Sequence, residues 1–277
     1  ANEAVYNGYK LEHGKFHRVN EAGADDHEAK FIDFSITKNV ASLLLSAIIL
    51  LIIFSSVRKG YLENKGKAPK GLQSFLEPII LFVRDEIAKP SIGPKYTKYL
   101  PYLLTVFFFI LVNNLLGLLP GAANVTGNIA VTLVLSFITF LIVTFSGNKH
   151  YWLHILKPTG VPLALLPIMV PVEIVGVFMK PISLMVRLFA NITAGHIIIL
   201  SVLGLLFMAN SMAGAGTSLA ISPVVIFFSI FLNLIELLVA FLQAFIFTLL
   251  TAMYIGSAVE EHHEADHGIG YEGADAH

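Results

Sequence analysis

The chain has 277 residues, of which 56% are hydrophobic and 13% charged, and its formal net charge is −1. An ordinary soluble domain carries roughly 25% charged residues, so this composition leaves too little polar surface to cover a water-soluble globule. The near-neutral balance offers no basic patch for nucleic acid, and a chain without cysteine has no thiol catalysis, disulfide or cysteine metal site.

The charges crowd into residues 1–38, 58–98, 147–157 and 260–277, with long apolar runs between them. Together with a mean hydropathy of +0.75, that spacing is the pattern of a multi-span membrane protein. The first residue is Ala1, which a removed signal peptide and simple trimming explain equally well. Residues 1–38 are polar and of mixed sign, and read as a water-exposed extension on the outer, periplasmic side. The run 39–57 is long enough to cross a hydrocarbon core of ~30 Å. Arg58, Lys59, Lys65, Lys67 and Lys70 follow it and place that loop in the cytoplasm by the positive-inside rule.

Over 71–89, apolar residues at helical spacing alternate with Glu77, Arg84, Asp85, Glu86 and Lys89, which predicts an amphipathic helix lying in the interface. Runs 100–119 and 129–146 are two further spans joined by an uncharged outer turn. A basic cytoplasmic loop with Lys149, His150, His154 and Lys157 comes next, and Trp152 sits there at interface depth.

Residues 161–208 are apolar over about 72 Å of helix, and 219–259 over about 61 Å. Each is either two spans or one oblique helix. A small-residue turn, 209–218, carries no Lys or Arg, which suits the outer face and favours two long antiparallel helices. The tail 261–277 is then cytoplasmic. The expected fold class is all-α and integral to the membrane, with one N-terminal span, an interfacial helix, a two-span hairpin and the two long helices.

Within the long helices the ionisable groups are few: Glu173, Lys180, Arg187 and His196 in the first, Glu236 in the second. A charge at mid-membrane costs ~2.5–3.5 kcal/mol on insertion scales, so each is a functional candidate by default. Snorkelling to an interface or an internal salt bridge is the structural alternative, strongest for Lys180. Seven-residue steps put Glu173, Lys180 and Arg187 on one stripe, while His196 lies on the opposite side. In the second helix Ser229, Asn233, Glu236, Ala240 and Gln243 form a polar seam.

Antiparallel neighbours at equal depth have constant index sums. His196 with Glu236 and Arg187 with Gln243 sum to 432 and 430, so both pairs are expected to face each other. Ala190, Ala194, Gly195, Ala240 and Ala244 would let the two backbones approach. Two polar half-paths separated by a permanent cation result. Arginine suits the barrier because its guanidinium keeps its proton.

The run KPISLMVRLFANITAGH (180–196) resembles the signature of subunit a of F-type ATP synthases. QAFIFTLLTAMYI (243–255) resembles that family's last helix, and NLLGLLP (114–120) its third-helix motif, with the likeness spanning roughly 39–260. The resemblance implies a stator subunit whose oblique helices wrap a rotor ring of c subunits, beside the b subunits of a peripheral stalk and an F1 ATPase head, in a bacterial inner membrane. It implies that Arg187 is the essential barrier. Asn191, His196, Asn233, Glu236 and Gln243, with Asn113 and Asn114, would serve the outer half-channel, and Glu173, Lys180 and Ser183 the cytoplasmic one.

Many members have glutamate at the place of His196 and histidine at that of Glu236, and some have aspartate at the place of Gly117. No cofactor and no metal are expected. A sodium-coupled version of the same subunit is the alternative, and a stand-alone secondary transporter lacks the internal repeat it should show. His13 with His17, and the tail cluster from Glu260 to His267, read as solvated termini rather than metal sites.

Overall fold

The computed structural model describes residues 9–12, 15–18, 37–63, 68–69, 71–119, 124–156 and 165–259. The chain divides into two units, residues 1–37 and 38–277. In the first, strands β1 (Tyr9–Glu12) and β2 (Lys15–Arg18) pair antiparallel, with Lys10 opposite His17. No strand is foreseen there from the sequence, where the mixed charges mask a short hairpin. His13, the tail from residue 260 on and the start of the apolar run 161–208, at 161–164, lie outside the described residues.

The second unit is helical throughout its described elements. Helix α1 (Lys38–Glu63) exposes Leu44, Leu45, Ile48, Leu51 and Ile52 and buries only Ser46 and Val57. A helix that is oily all round and barely covered by protein is one that lipid solvates. The Ser46 hydroxyl donates to the Leu43 carbonyl at 2.9 Å, which satisfies it without help from water.

Helix α2 (Leu72–Phe82) continues through a wider turn, Val83–Ala88, into the short α3 (Lys89–Ile92). Pro90 explains the widening: it has no N–H to give to the carbonyl a turn earlier, and its ring would collide with it. Gly93, at φ 71°, then breaks the helix before α4 (Tyr96–Gly117). Asp85 sits between Arg84 at 2.8 Å and Lys89 at 2.5 Å, all partly exposed, so the charges here neutralise one another at the surface of the stretch.

Helix α4 buries Leu103, Phe107, Ile110, Asn113 and Asn114 at i, i+4, i+7 spacing. Helix α5 (Ile129–Ser146) is capped by Asn128, whose side chain accepts from the Ala130 N–H. The Tyr102 and Thr139 hydroxyls meet at 2.7 Å and tie α4 to α5. The stretch read as a basic loop from the sequence forms a helix, α6 (Lys149–Leu156). It is held by Asn148, whose backbone N–H donates to the Ala258 carbonyl (3.0 Å) and whose side chain donates to the Val259 carbonyl (3.1 Å). Two of the orphan carbonyls at the end of the last helix are satisfied in this way.

Two long helices complete the unit: α7 (Leu166–Met212) and α8 (Gly214–Val259). The expected ten-residue turn is absent. Helix runs to Met212 and resumes at Gly214, whose φ of 81° and ψ of 175° make the whole reversal. Only a residue without a Cβ adopts that conformation readily. At 47 and 46 residues, each helix is about 70 Å long, more than twice the hydrocarbon thickness. Contacts at index pairs 206/218, 196/236 and 191/243 show that they run antiparallel. The face of α8 bearing Ala244, Phe247, Ala252 and Ile255 is buried against the rest of the core, whereas most of α7 stays uncovered.

Five helical segments among the described residues are long and apolar enough to span a bilayer. The unit is an all-α, multi-pass membrane protein.

Candidate functional site

Between α7 and α8 lies a cleft of about 280 Å³ walled by Asn191, Gly195, Glu236 and Gln243 among apolar residues. The Asn191 side-chain amide donates to Gln243 Oε1 at 2.7 Å. The His196 Nδ1 and Glu236 Oε1 atoms are 3.7 Å apart, a charge contact when the imidazole is protonated but too long for a hydrogen bond. Gly195 makes room for the carboxylate, since a Cβ there would stand 2.9 Å from Glu236 Oε1. The three atoms nearest that position all belong to the Glu236 side chain. Ala190 and Ala194 are exposed, and Ala240 turns to α4, whose Asn114 side chain donates to its carbonyl at 3.1 Å.

The polar atoms of this seam are not all used up within the protein. Glu236 Oε1, Gln243 Nε2, Asn113 Oδ1 and Asn114 Oδ1 are buried without a hydrogen-bond partner among the described residues. An unmatched buried polar atom costs about 1–3 kcal/mol, a cost that water offsets where it reaches the atom. Asn113 uses its own amide on the Phe109 carbonyl at 2.8 Å. Asn233 is exposed and donates to the Ser229 carbonyl of its own helix, so the structure does not bring it into the cleft.

Arg187 is half-buried. Among the described residues it has neither a hydrogen bond nor an ion pair, and it lies within electrostatic reach of the Tyr254 ring hydroxyl. Its expected neighbour at equal depth, Gln243, is taken instead by Asn191, one turn further along α7. The physical reason is the packing face: Leu184, Leu188 and Ile192 are the residues of α7 buried in the protein, and Arg187 stands at their flank. Around it, Ser183, Ala190, Asn191 and Ala194 are all exposed, so the guanidinium borders an open surface of the helix.

Lys180 is not free in the stripe it shares with Glu173 and Arg187. Its ammonium lies 5.9 Å from the Tyr151 ring centroid and 5.3 Å from that of Tyr254. Glu173 is half-buried and close enough to act electrostatically on both Lys180 and Tyr151, but makes no ion pair with a described residue. Ser183, three residues beyond Lys180 on the same helix, is exposed. Tyr151 is the residue the sequence reading passes over. Its only signal is an aromatic pair, Tyr151–Trp152, in an otherwise basic stretch.

No group of three or more His, Asp or Glu suited to a metal occurs among the described residues. The geometry is that of a largely apolar cleft with a few polar groups on its wall, and an acid and an imidazole at one depth. One turn before Asn191 on α7, Arg187 has no counter-charge among the described residues.

Comparison with known proteins follows the same lines. A family model described as "ATP synthase A chain" matches residues 40–256. "ATP synthase subunit a" of Chloroherpeton thalassium is 46% identical over 244 residues, covering 85% of this chain and 71% of that protein. "ATP synthase subunit a 2" of Chlorobaculum tepidum is 50% identical over 240 residues, covering 83% of this chain and 65% of its own length. "ATP synthase subunit a" of an Anaeromyxobacter species is 45% identical over 247 residues, covering 85% and 57% respectively.

Proposed function

Because the chain belongs to the ATP synthase A chain family, we propose that it is the stationary proton-conducting subunit of an F-type ATP synthase, with two half-channels that meet at Arg187. The observation that carries this reading is the uncompensated guanidinium. A charge at that depth costs ~2.5–3.5 kcal/mol even on insertion scales, and nothing among the described residues of its own chain offsets it. A carboxylate brought by a neighbouring subunit would, and a rotor ring of c subunits supplies one after another.

Arg58 and Lys59 at the end of α1, with Lys149 at the start of α6, mark the cytoplasmic side in this reading. The N-terminal extension is then periplasmic and the C-terminus cytoplasmic, in a bacterial inner membrane. Protons enter from outside through His196 and Glu236, with Asn113, Asn114, Asn191 and Gln243 along the wall, and neutralise a rotor carboxylate. Once neutral, that acid rotates through lipid at low cost. On its return to Arg187 the permanent cation favours the ionised form, and the proton leaves along Glu173. Lys180 and Ser183 border this exit. The peripheral-stalk b subunits and the F1 head hold the subunit still and make the ATP. A membrane potential of 100 mV supplies ~2.3 kcal/mol per proton, so several protons pass for each ATP. This chain contributes the path, not the nucleotide chemistry.

Replacing Glu236 tests the entrance. Glu236→Ala is expected to lower ATP-driven proton pumping in inverted membrane vesicles by about 100-fold or more, the lower end of what a general acid–base group contributes, with subunit levels near normal on immunoblots. Loss of the subunit from the membrane, in step with activity, would make Glu236 a structural residue.

A further inference from the structure

Tyr151 belongs to no motif of the chain, yet its position is closely determined. Helix α6 is anchored to the end of α8 by the two Asn148 hydrogen bonds. Gly147 leaves space for the ring: a Cβ there would stand 2.8 Å from Tyr151 Cδ1. Tyr151 lines a small cavity with Thr139, Phe140, Leu184, Lys180 and Tyr254, and its hydroxyl oxygen is buried without a hydrogen-bond partner among the described residues. The phenol is thus held for its face. That face and the Tyr254 ring both receive the Lys180 ammonium at cation–π distance.

The consequence concerns Glu173. It precedes Lys180 by seven residues, about 10.5 Å along α7 and nearly the same azimuth. A lysine and a glutamate side chain together span most of that rise, and in a low-dielectric setting they attract strongly. They are nevertheless apart, the ammonium lying over the two rings and the carboxylate without an ion pair among the described residues. A carboxylate gripped by an ammonium is a poor proton acceptor, so a Lys180 free to swing would close the cytoplasmic exit.

We infer that Tyr151 is a positioning residue of the proton exit: with Tyr254 it holds the Lys180 ammonium aside, so that the Glu173 carboxylate stays available to take the proton. This rests on the reading of Glu173 as the exit group. It also assigns α6 a task, since the helix carries one half of the clamp from outside the long hairpin.

The test uses the whole ATP synthase in inverted vesicles, with pumping and passive proton conductance normalised to the amount of assembled subunit. Tyr151→Leu is expected to lower both about five- to ten-fold, the change in side-chain population that one partly desolvated cation–π contact supports. Tyr151→Phe keeps the face and should retain most of the rate. The decisive variant is Tyr151→Leu combined with Lys180→Gln, which has no ammonium to swing and should recover relative to Tyr151→Leu alone. If the double variant stays as slow as Tyr151→Leu, the ring is packing and the inference is wrong. An undiminished rate for Tyr151→Leu beside a slow Glu173→Gln also overturns it, while leaving the exit assignment standing. An undiminished rate for Glu173→Gln removes the exit assignment, and the clamp with it.

Discussion

Arg187→Ala is expected to abolish ATP-driven proton pumping in inverted membrane vesicles, with the subunit still inserted and assembled. On the proposed function two half-paths converge on this residue from opposite sides, and the guanidinium has two tasks there. It keeps protons from crossing directly, because it neither gives up its own proton nor accepts a second. It also favours ionisation of each rotor carboxylate that stops beside it. Alanine removes both, and among the described residues no second cation takes that place, since Lys180 is engaged by Tyr151 and Tyr254. Assembly should survive because Arg187 supports no hydrogen bond or ion pair among the described residues, whereas the packing of α7 is carried by Leu184, Leu188 and Ile192. Arg187→Lys is expected to fail nearly as fully, since a desolvated ammonium releases its proton and lacks the planar fork that meets a carboxylate with two donors. Coupled pumping retained by Arg187→Ala would defeat the assignment.

Gly256→Ala is expected to act by the opposite route, through loss of the protein rather than of conduction. A Cβ at Gly256 would stand 1.9 Å from the Ser91 carbonyl oxygen and 2.9 Å from its carbon. Both are backbone atoms of α3, so no side chain can turn away to relieve the overlap. The helices must separate, and the neighbouring buried residues Ile92, Ala252 and Ile255 lose their contacts. Overpacking of this kind costs about 1–3 kcal/mol and more where backbone is involved, a large fraction of a membrane domain's stability. Steady-state subunit level and resistance to protease in isolated membranes are the measurements. Gly176→Ala and Gly204→Ala are the controls, because nothing lies within 4 Å of a Cβ at either place. If Gly256→Ala is as abundant and as resistant as those controls, the α3–α8 contact is not what holds this end of the unit together.

Much of this was legible in the residues and some was not, for reasons that differ by element. Apolar run length alone points to a helical membrane protein, because lipid leaves a chain few other ways to satisfy its backbone. The pairing of His196 with Glu236 follows from index sums, which use only the rise of a helix and the place of the turn. The same sums put Gln243 opposite Arg187, whereas Asn191 holds it. A sum gives depth, but which residue turns inward depends on the buried face of α7, set by Leu184 and Leu188 against the core.

The reversal is shorter than the run of small residues suggests, because one glycine at positive φ suffices. Helix α6 is hidden in the sequence by its polarity: its fixing points are carbonyls at the end of α8, 111 positions away in the case of Asn148 and Val259. For the same reason Tyr151 carries no local sign of its contact with Lys180. Gly195 shows the reverse case. Its small size is visible in the sequence, but only the three-dimensional arrangement shows that the space belongs to the Glu236 carboxylate.

The most direct measurement is proximity between the surface around Arg187 and the rotor acid. The chain contains no cysteine, so single cysteines introduced at Ser183 or Ala190, both exposed beside Arg187, report without background. Each is expected to form a disulfide with a cysteine placed one helical turn from the ring carboxylate, and a cysteine at Leu51, on the lipid-exposed side of α1, should not. Cross-links absent from both α7 positions while the complex is intact would mean that the guanidinium meets no rotor acid.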